Sequence, residues 1–178
     1  GLDWKSVDTE MRLATTRCTN ALLEGKGTEP VLFITSGFGN LLEIGDQRRL
    51  GLFDLIPQKR KNLTEDIIEI DERIDRDGHV LTAPNYQEIK KMANDLVSSG
   101  KRNAVISFFH SCRNPEHEIQ VAEILSQAGF RKVVVSSSIY NFPKWLPRLE
   151  SGVVEAYLSD VLDHYLDQVQ DALGQPDS

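Results

Sequence analysis

The second half of the chain leaves little freedom in its choice of fold. Asn85 followed by Glu88 has the spacing of a capping box, and Ile89, Met92, Ala93 and Leu96 then recur on one helical face before Gly100. NAVISFFH, residues 103–110, reads as a buried strand. Asn114–Pro115 opens a second helix in cap-then-proline order, with Val121, Ile124, Leu125 and Ala128 as its core stripe and Gly129 as its end. KVVVSSSI, residues 132–139, supplies another strand. From about Lys144 to Leu173 the pattern is helical, with Leu158, Val161, Leu162, Tyr165, Val169 and Leu173 on the apolar face and Pro147 blurring the start.

The first half adds shorter elements. MRLATT (11–16) reads as a strand, CTNALLEGKG as a helix closing on Gly25 or Gly27, and VLFIT (31–35) as a buried strand, together one β-α-β step. GFGNLLEIG gives a helical turn or two, and the mixed-charge segment from Asp46 to Asn62 reads as a loop. Residues 67–82 alternate apolar and polar positions around Asp75-Arg76-Asp77-Gly78, the composition of an antiparallel hairpin. The expected fold is therefore α/β: a mixed sheet with β-α-β units, one antiparallel hairpin and a long C-terminal helix, in a single domain over residues 1–178.

Charge and cysteine usage narrow the partners. Twenty Lys plus Arg against 27 Asp plus Glu give a net charge of -7, which opposes the counterion release that nucleic-acid binders use. Cys18 and Cys112 stand far apart with no C-x-x-C spacing, which fits a reducing, cytoplasmic setting. No segment has the length and apolarity of a bilayer span, so neither a membrane nor nucleic acid is an expected partner.

Polar residues close each expected strand: Thr15 and Thr16, Thr35 and Ser36, His110 and Ser111, then Ser136 to Ser138. Ligands of open α/β sheets bind outside the carboxyl ends of strands, and hydroxyls there suit a polar or anionic ligand. The plainer alternative is that Thr16 or Thr19 caps a helix and the serines serve turns. Gly37-Phe38-Gly39 lacks the third glycine of a dinucleotide fingerprint and the Gly-Lys-Ser/Thr ending of a P-loop. His110, Cys112 and His117 lack the paired spacing of a zinc site, so no metal is expected. Asp71, Glu72, Asp75 and Asp77 could do acid–base chemistry but read better as a solvated turn.

Four ordered motifs then carry a resemblance. MRLATTRCTNALLEGKG resembles the R-x-G-T-T-x-x-T-N-A-L-L-E-x-K-G segment of the hydantoinase and 5-oxoprolinase family, in its ATP-using A-type subunit. TSGFGNLLEIGDQRRLGLFDL is similar to T-x-G-F-x-D-L-L-x-I-G-x-Q-x-R, IDERIDRDGHVLT to D-E-R-V-D-x-D-G-x-V-L, and FHSCRNPEHE to L-H-S-x-x-N-P-x-H-E. The collinear matches run from about residue 11 to 125, with weaker similarity through RLESGVVEAYL.

The resemblance implies a parent of the sugar-kinase, actin and heat-shock ATPase superfamily that hydrolyses cyclic amides with ATP and Mg²⁺, or activates ketones for carboxylation, alongside a B-type subunit or domain. It also implies that this chain is a fragment of an amino-terminal region, following a D-x-G-G-T phosphate loop that the chain lacks, so no ATP turnover is expected of the fragment itself. The residues it marks for substrate or nucleotide binding are Thr15, Thr16, Thr19, Asn20, Gly37, Gln47 and Arg148, with His110 as the catalytic candidate. Ala14, Asn40, Gly152 and Glu155 depart from the family pattern, where Gly, Asp, Thr and Asn are usual. Three readings follow: an amide-activating segment, a ketone-carboxylase segment, or a structural module that holds the parent to its B-type partner. His110 has two roles open to it, ordering the Ser111 to Asn114 turn or contacting the substrate. The last helix either folds back on its own sheet or pairs two copies in a homodimer.

Overall fold

The computed structural model describes residues 13–46, 62–139 and 143–173. Four short apolar runs form one parallel sheet in the order β2-β1-β5-β6, namely Ile67–Ile70, Val31–Thr35, Asn103–Ser107 and Lys132–Val135. Parallel strands buried on both faces read as continuous apolar runs, and every residue of β1 and β5 is buried. The register sets Val31 beside Ala104 and Phe33 beside Ile106, while Ala104 faces Val133 across the next ladder.

Helices cover both faces. On one side α3 (Tyr86–Ser98) and α4 (Glu116–Ala128) pack Ile89, Ala93, Val121 and Leu125 against Val31, Phe33, Ala104 and Ile106. Asn85 caps α3 by accepting the Glu88 N–H at 3.3 Å, and Gly129 closes α4 at φ 107°, as the spacing predicts. On the other side α6 (Trp145–Leu173) lays Leu149, Val153 and Ala156 over Leu32, Ile34, Val105 and Val134. A Cβ on Gly152 would lie 3.1 Å from Val105 Cγ1, so this helix runs close to the sheet at that point.

α6 is antiparallel to the strands. Its first residue, Trp145, donates Nε1–H to Ser107 Oγ at the carboxyl end of β5 (2.9 Å), and Asn103 at the amino end donates to Ala156 O (3.1 Å) and Ser159 Oγ (3.2 Å). At 1.5 Å per residue, the segment from Asp160 to Gln168 carries the helix about 12 Å past the sheet. There it meets α1 (Arg17–Glu24): Arg17 donates to Gln168 Oε1 at 3.1 Å and lies over the Tyr165 ring. The expected fold-back is thus correct for residues 149–157, whose face is Leu149, Val153, Ala156 and Tyr157. The expected stripe falls largely beyond the sheet, where Val161, Tyr165 and Val169 are half-buried and Leu162 remains exposed.

Three sequence expectations change. Leu13–Thr16 is not a strand, so α1 precedes β1 without a β-α-β step among the described residues. Residues 67–82 do not form one hairpin: Ile67–Ile70 is the edge strand β2, parallel to β1, and only β3 (Arg73–Ile74) and β4 (Val80–Thr82) pair antiparallel. Alternation marks a strand but does not name its partner, and the Asp71–Glu72 break transfers the chain from one sheet to the other. The serines after Val135 continue as the short helix α5 (Ser136–Ile139) rather than as strand. α2 (Leu41–Ile44) follows the Gly37–Gly39 turn. The expected loop at 46–62 lies almost entirely outside the described residues.

Candidate functional site

The carboxyl ends of β1, β5 and β6 meet over α4, and two buried carboxylates bind them together. Glu118, fully buried, accepts from Phe108 N (2.8 Å), Ser111 Oγ (2.7 Å) and Ser136 Oγ (2.8 Å) through Oε1, and from Ser137 N (3.0 Å) through Oε2. Glu72 accepts from the Thr35 hydroxyl through Oε1 and from His117 Nδ1 through Oε2, at 2.8 Å, and Thr35 Oγ1 in turn accepts the Phe109 N–H at 2.8 Å. The hydroxyls at these strand ends are therefore spent on internal carboxylates. A carboxylate surrounded by N–H and O–H donors keeps its charge without contacting water.

Glu72, His117 and Glu118 are the residues that sequence reasoning missed. Glu72 is 2 % exposed, not part of a solvated turn, and His117 is 2 % exposed on the Glu72 side of α4. The signal was present in the FHSCRNPEHE motif, whose final His-Glu pair opens a helix facing the strand ends.

His110 lies just above this network. It is the non-glycine residue with positive φ (62°) among the described residues, a conformation that costs about 1–3 kcal/mol and persists only where its surroundings enforce it. Its Nδ1 is 2.9 Å from Ile74 O, which can only accept, so Nδ1 carries a hydrogen, and in the neutral ring Nε2 is then the nitrogen with the lone pair. Half-buried rings flank it: Phe109 stacks on Phe38 with centroids 5.4 Å apart, Trp145 meets both, and Arg73 lies over Phe38 and Phe109. The arrangement sets one edge of an imidazole beside an apolar, cation-topped surface.

The other expected site residues divide between the two ends of the sheet. Gly37, at φ 87°, lies near His110's end of the sheet, but its N–H donates to Glu69 Oε2 at 3.2 Å, and Gly39 N donates to Glu69 Oε1 at 2.6 Å. Arg148 is 2 % exposed beneath the same end and donates from Nη2 to Phe108 O at 2.9 Å, while Nε and Nη1 make no hydrogen bond among the described residues. Thr15, Thr16, Thr19 and Asn20 are exposed around α1, beyond the amino end of the sheet. Thr15 Oγ1 accepts the Arg17 N–H at 3.2 Å, and Thr16 stands at the N-cap without a side-chain cap bond. Asn20, Lys26, Thr28, Asp160 and His164 line a cavity of about 670 Å³ between α1 and α6. The structure thus brings His110, Gly37 and Arg148 to one end and leaves the α1 residues at the other. Gln47 lies outside the described residues. Among the described residues no group of three His, Cys, Asp or Glu could hold a metal, and no helix is long and apolar enough to cross a membrane.

Known proteins resemble this chain in sequence and in fold. It is 34 % identical over 175 residues to 5-oxoprolinase 1 of Arabidopsis thaliana, covering 88 % of this chain and 14 % of that protein. With the 5-oxoprolinase of Saccharomyces cerevisiae the identity is 31 %, over 92 % of this chain and 15 % of the relative. The ATP-dependent caprolactamase from Pseudomonas jessenii superposes with a TM-score of 0.77 at 26 % identity, covering 90 % of this chain and 24 % of that one. Nucleotide-free acetone carboxylase has the same fold at a TM-score of 0.75 and 23 % identity, over 88 % of this chain and 24 % of its own. The chain therefore spans a seventh to a quarter of the length of these relatives. Residues 5–129 match the model of the hydantoinase/oxoprolinase N-terminal region, and the chain belongs to that family.

Proposed function

We propose that this chain is part of an ATP-dependent hydrolase that opens the C–N bond of a cyclic amide, in the manner of the 5-oxoprolinases. The observation that carries this reading is that the sequence relatives and a solved neighbour, found independently, are a 5-oxoprolinase and a caprolactamase, both named for ring amides. On this reading His110 Nε2 accepts a proton near the substrate, and Phe38, Phe109 and Trp145 offer the ring an apolar surface. Thr15, Thr16, Thr19, Asn20, Gln47 and Arg148 remain proposed binding residues. The parent, an actin-like ATPase of which this chain is one domain, would act in the cytoplasm with a B-type subunit or domain.

ATP and Mg²⁺ belong to the parent on this reading, and the Gly37–Gly39 turn does not fit the triphosphate. The Gly37 and Gly39 N–H groups are taken by the Glu69 carboxylate, which places negative charge where a phosphate would sit, and the Phe38 N–H donates to Thr35 O. No step through the nucleotide is therefore built on these residues.

A second reading, the ATP-using subunit of a ketone carboxylase, is favoured by a 28 % identity to the acetophenone carboxylase gamma subunit, over 92 % of this chain and 24 % of that subunit. The third, a structural module without catalysis of its own, draws on the buried Glu72 and Glu118 networks. The full-length parent separates them. Release of ADP with 5-oxoproline, hydantoin or caprolactam, and ring-opened product, supports the first; turnover only with a ketone and bicarbonate supports the second. His110→Gln should lower turnover in either case while the melting temperature holds within a few degrees, because Gln keeps a hydrogen bond but accepts no proton. Unchanged turnover removes His110 from the chemistry and favours the third. A homodimer through Leu162 and Leu166, 40 % and 43 % exposed, predicts that Leu162→Glu lowers the sedimentation coefficient of the chain.

A further inference from the structure

A continuous line of hydrogen bonds runs from α4 to the residue before His110. His117 Nδ1 donates to Glu72 Oε2, the Thr35 hydroxyl donates to Glu72 Oε1, and the Phe109 N–H donates to Thr35 Oγ1. Each direction is forced once the first is set. Ionised Glu72 only accepts, so the Thr35 hydrogen points to it and the Thr35 lone pairs are left for Phe109. Glu72 also fixes the other side of His110. It stands two residues before Ile74, whose carbonyl receives the imidazole, in a strand only two residues long. After His110 the backbone is tied again, with Arg113 N and Asn114 N donating to His110 O at 2.8 and 3.3 Å.

We propose that Glu72, with Thr35 and His117, is a positioning assembly for His110: it sets the left-handed backbone through Phe109 N–H and the ring tautomer through Ile74 O. The proposal rests on the reading of His110 as the proton acceptor of the site. A non-glycine residue at φ 62° reverts to negative φ unless the chain on either side and its own side chain are held, and here the Phe109 N–H, one peptide before, and the ring are held by one buried carboxylate segment. Glu118 ties down Phe108 N, one residue earlier, so β5 enters the bend already fixed. A ring held with hydrogen on Nδ1 presents the same Nε2 lone pair in every molecule. A ring released from Ile74 O samples both tautomers and loses a fraction of productive orientations.

The test separates this proposal from the reading it rests on. In the 178-residue chain, ¹⁵N NMR of the neutral His110 ring should show the single Nδ1–H tautomer. Thr35→Val should give mixed tautomers and a changed HN–Hα coupling at His110, and Thr35→Ser, which keeps the hydroxyl, should restore both. In the full-length parent, Thr35→Val should lower kcat about tenfold or more with KM within about twofold, and Thr35→Ser should recover it. A folded Thr35→Val chain with unchanged His110 ring shifts overturns the proposal. If Thr35→Val does not fold, Glu72→Gln carries the test, since its amide keeps the shape, and unchanged ring shifts there overturn it equally. Altered ring shifts with unaltered turnover would uphold the positioning and sink the proton-acceptor role instead.

Discussion

The two ends of the sheet hold their polar residues by opposite means. At the carboxyl end, Glu72 and Glu118 are buried with both oxygens bonded, and the donors come from β1, β5, α4 and the start of α5. At the amino end, Thr15, Thr16, Thr19 and Asn20 sit on exposed turns of α1, which is held to α6 by Arg17 and by the Gly27–Thr28 segment. A buried polar group is bound to its neighbours by the penalty of losing them, whereas an exposed one has water as a substitute. Side chains at the first end are therefore fixed before any ligand arrives. Those at the second are free to adjust to one.

The most damaging way to break this contrast is Glu118→Ala. It strips three donors, the Phe108 and Ser137 N–H groups and the Ser136 hydroxyl, of their acceptor at once, and leaves the Ser111 hydroxyl with Phe108 O alone. The expected loss is about 4 kcal/mol or more in urea denaturation. A loss below about 1 kcal/mol would mean that water reaches the network after all.

Gly27→Ala probes the other end at its one tight contact. The added methyl would lie 2.2 Å from the Tyr157 ring and 2.5 Å from Tyr157 O, so the segment must move away from α6. About 2 kcal/mol of local stability should go, seen as faster hydrogen exchange at Thr28 and along α1, while the amides of α4 keep their protection. Equal acceleration in α4 would show one cooperative unit and erase the distinction.

Thr19→Ala combined with Asn20→Ala should shift stability by no more than about 0.5 kcal/mol, because both residues are exposed. If they bind ligand, the full-length parent should show a raised KM at constant kcat, the mark of uniform binding. A fall in kcat would tie the amino end to the chemistry.

The smallest effect concerns the β3–β4 turn. The His79 N–H, then the His79 ring and the Asp77 N–H, hold the Asp75 carboxyl below its ordinary range against the opposing effect of desolvation. A carboxyl depressed in the folded state adds stability above its unfolded value, near 3.9, and loses it as pH falls through the folded value. Amide shifts of Asp77 and His79 should therefore move together as pH falls below about 4. Shifts that move separately there, or not at all, would show that the Asp75 carboxylate does not hold the turn.

Periodicity made the scaffold legible. Ile89, Ala93, Val121 and Leu125 announce α3 and α4 because helix burial repeats every three or four residues, and VLFIT announces β1 because a strand buried on both faces has nowhere to place a charge. The site was only half legible. His110 and Gly37 are found at the expected end, but Thr15 and Thr16 are not, since their assignment depended on a strand at residues 11–16 that Leu13–Thr16 does not form. Glu72 was misread for a different reason. A carboxylate beside Asp71 and Asp75 has the local composition of a wet turn, and its burial is decided by Thr35 and His117, 37 and 45 residues away in sequence. Pairings of that range leave no periodic trace.

The close approach of α6 at Gly152 also has a mechanical side. Were the helix to tilt as a rigid rod about that contact, its arms would be of unequal length: about 10 Å back to Trp145 and about 24 Å out to Gln168, at 1.5 Å per residue. A tilt of about 5° around that fulcrum moves Trp145 by roughly 1 Å and Gln168 by roughly 2 Å. Arg17, bonded to Gln168, moves with it. In such a tilt a displacement at the aromatic surface too small to break the Trp145–Ser107 bond would reach α1 about doubled.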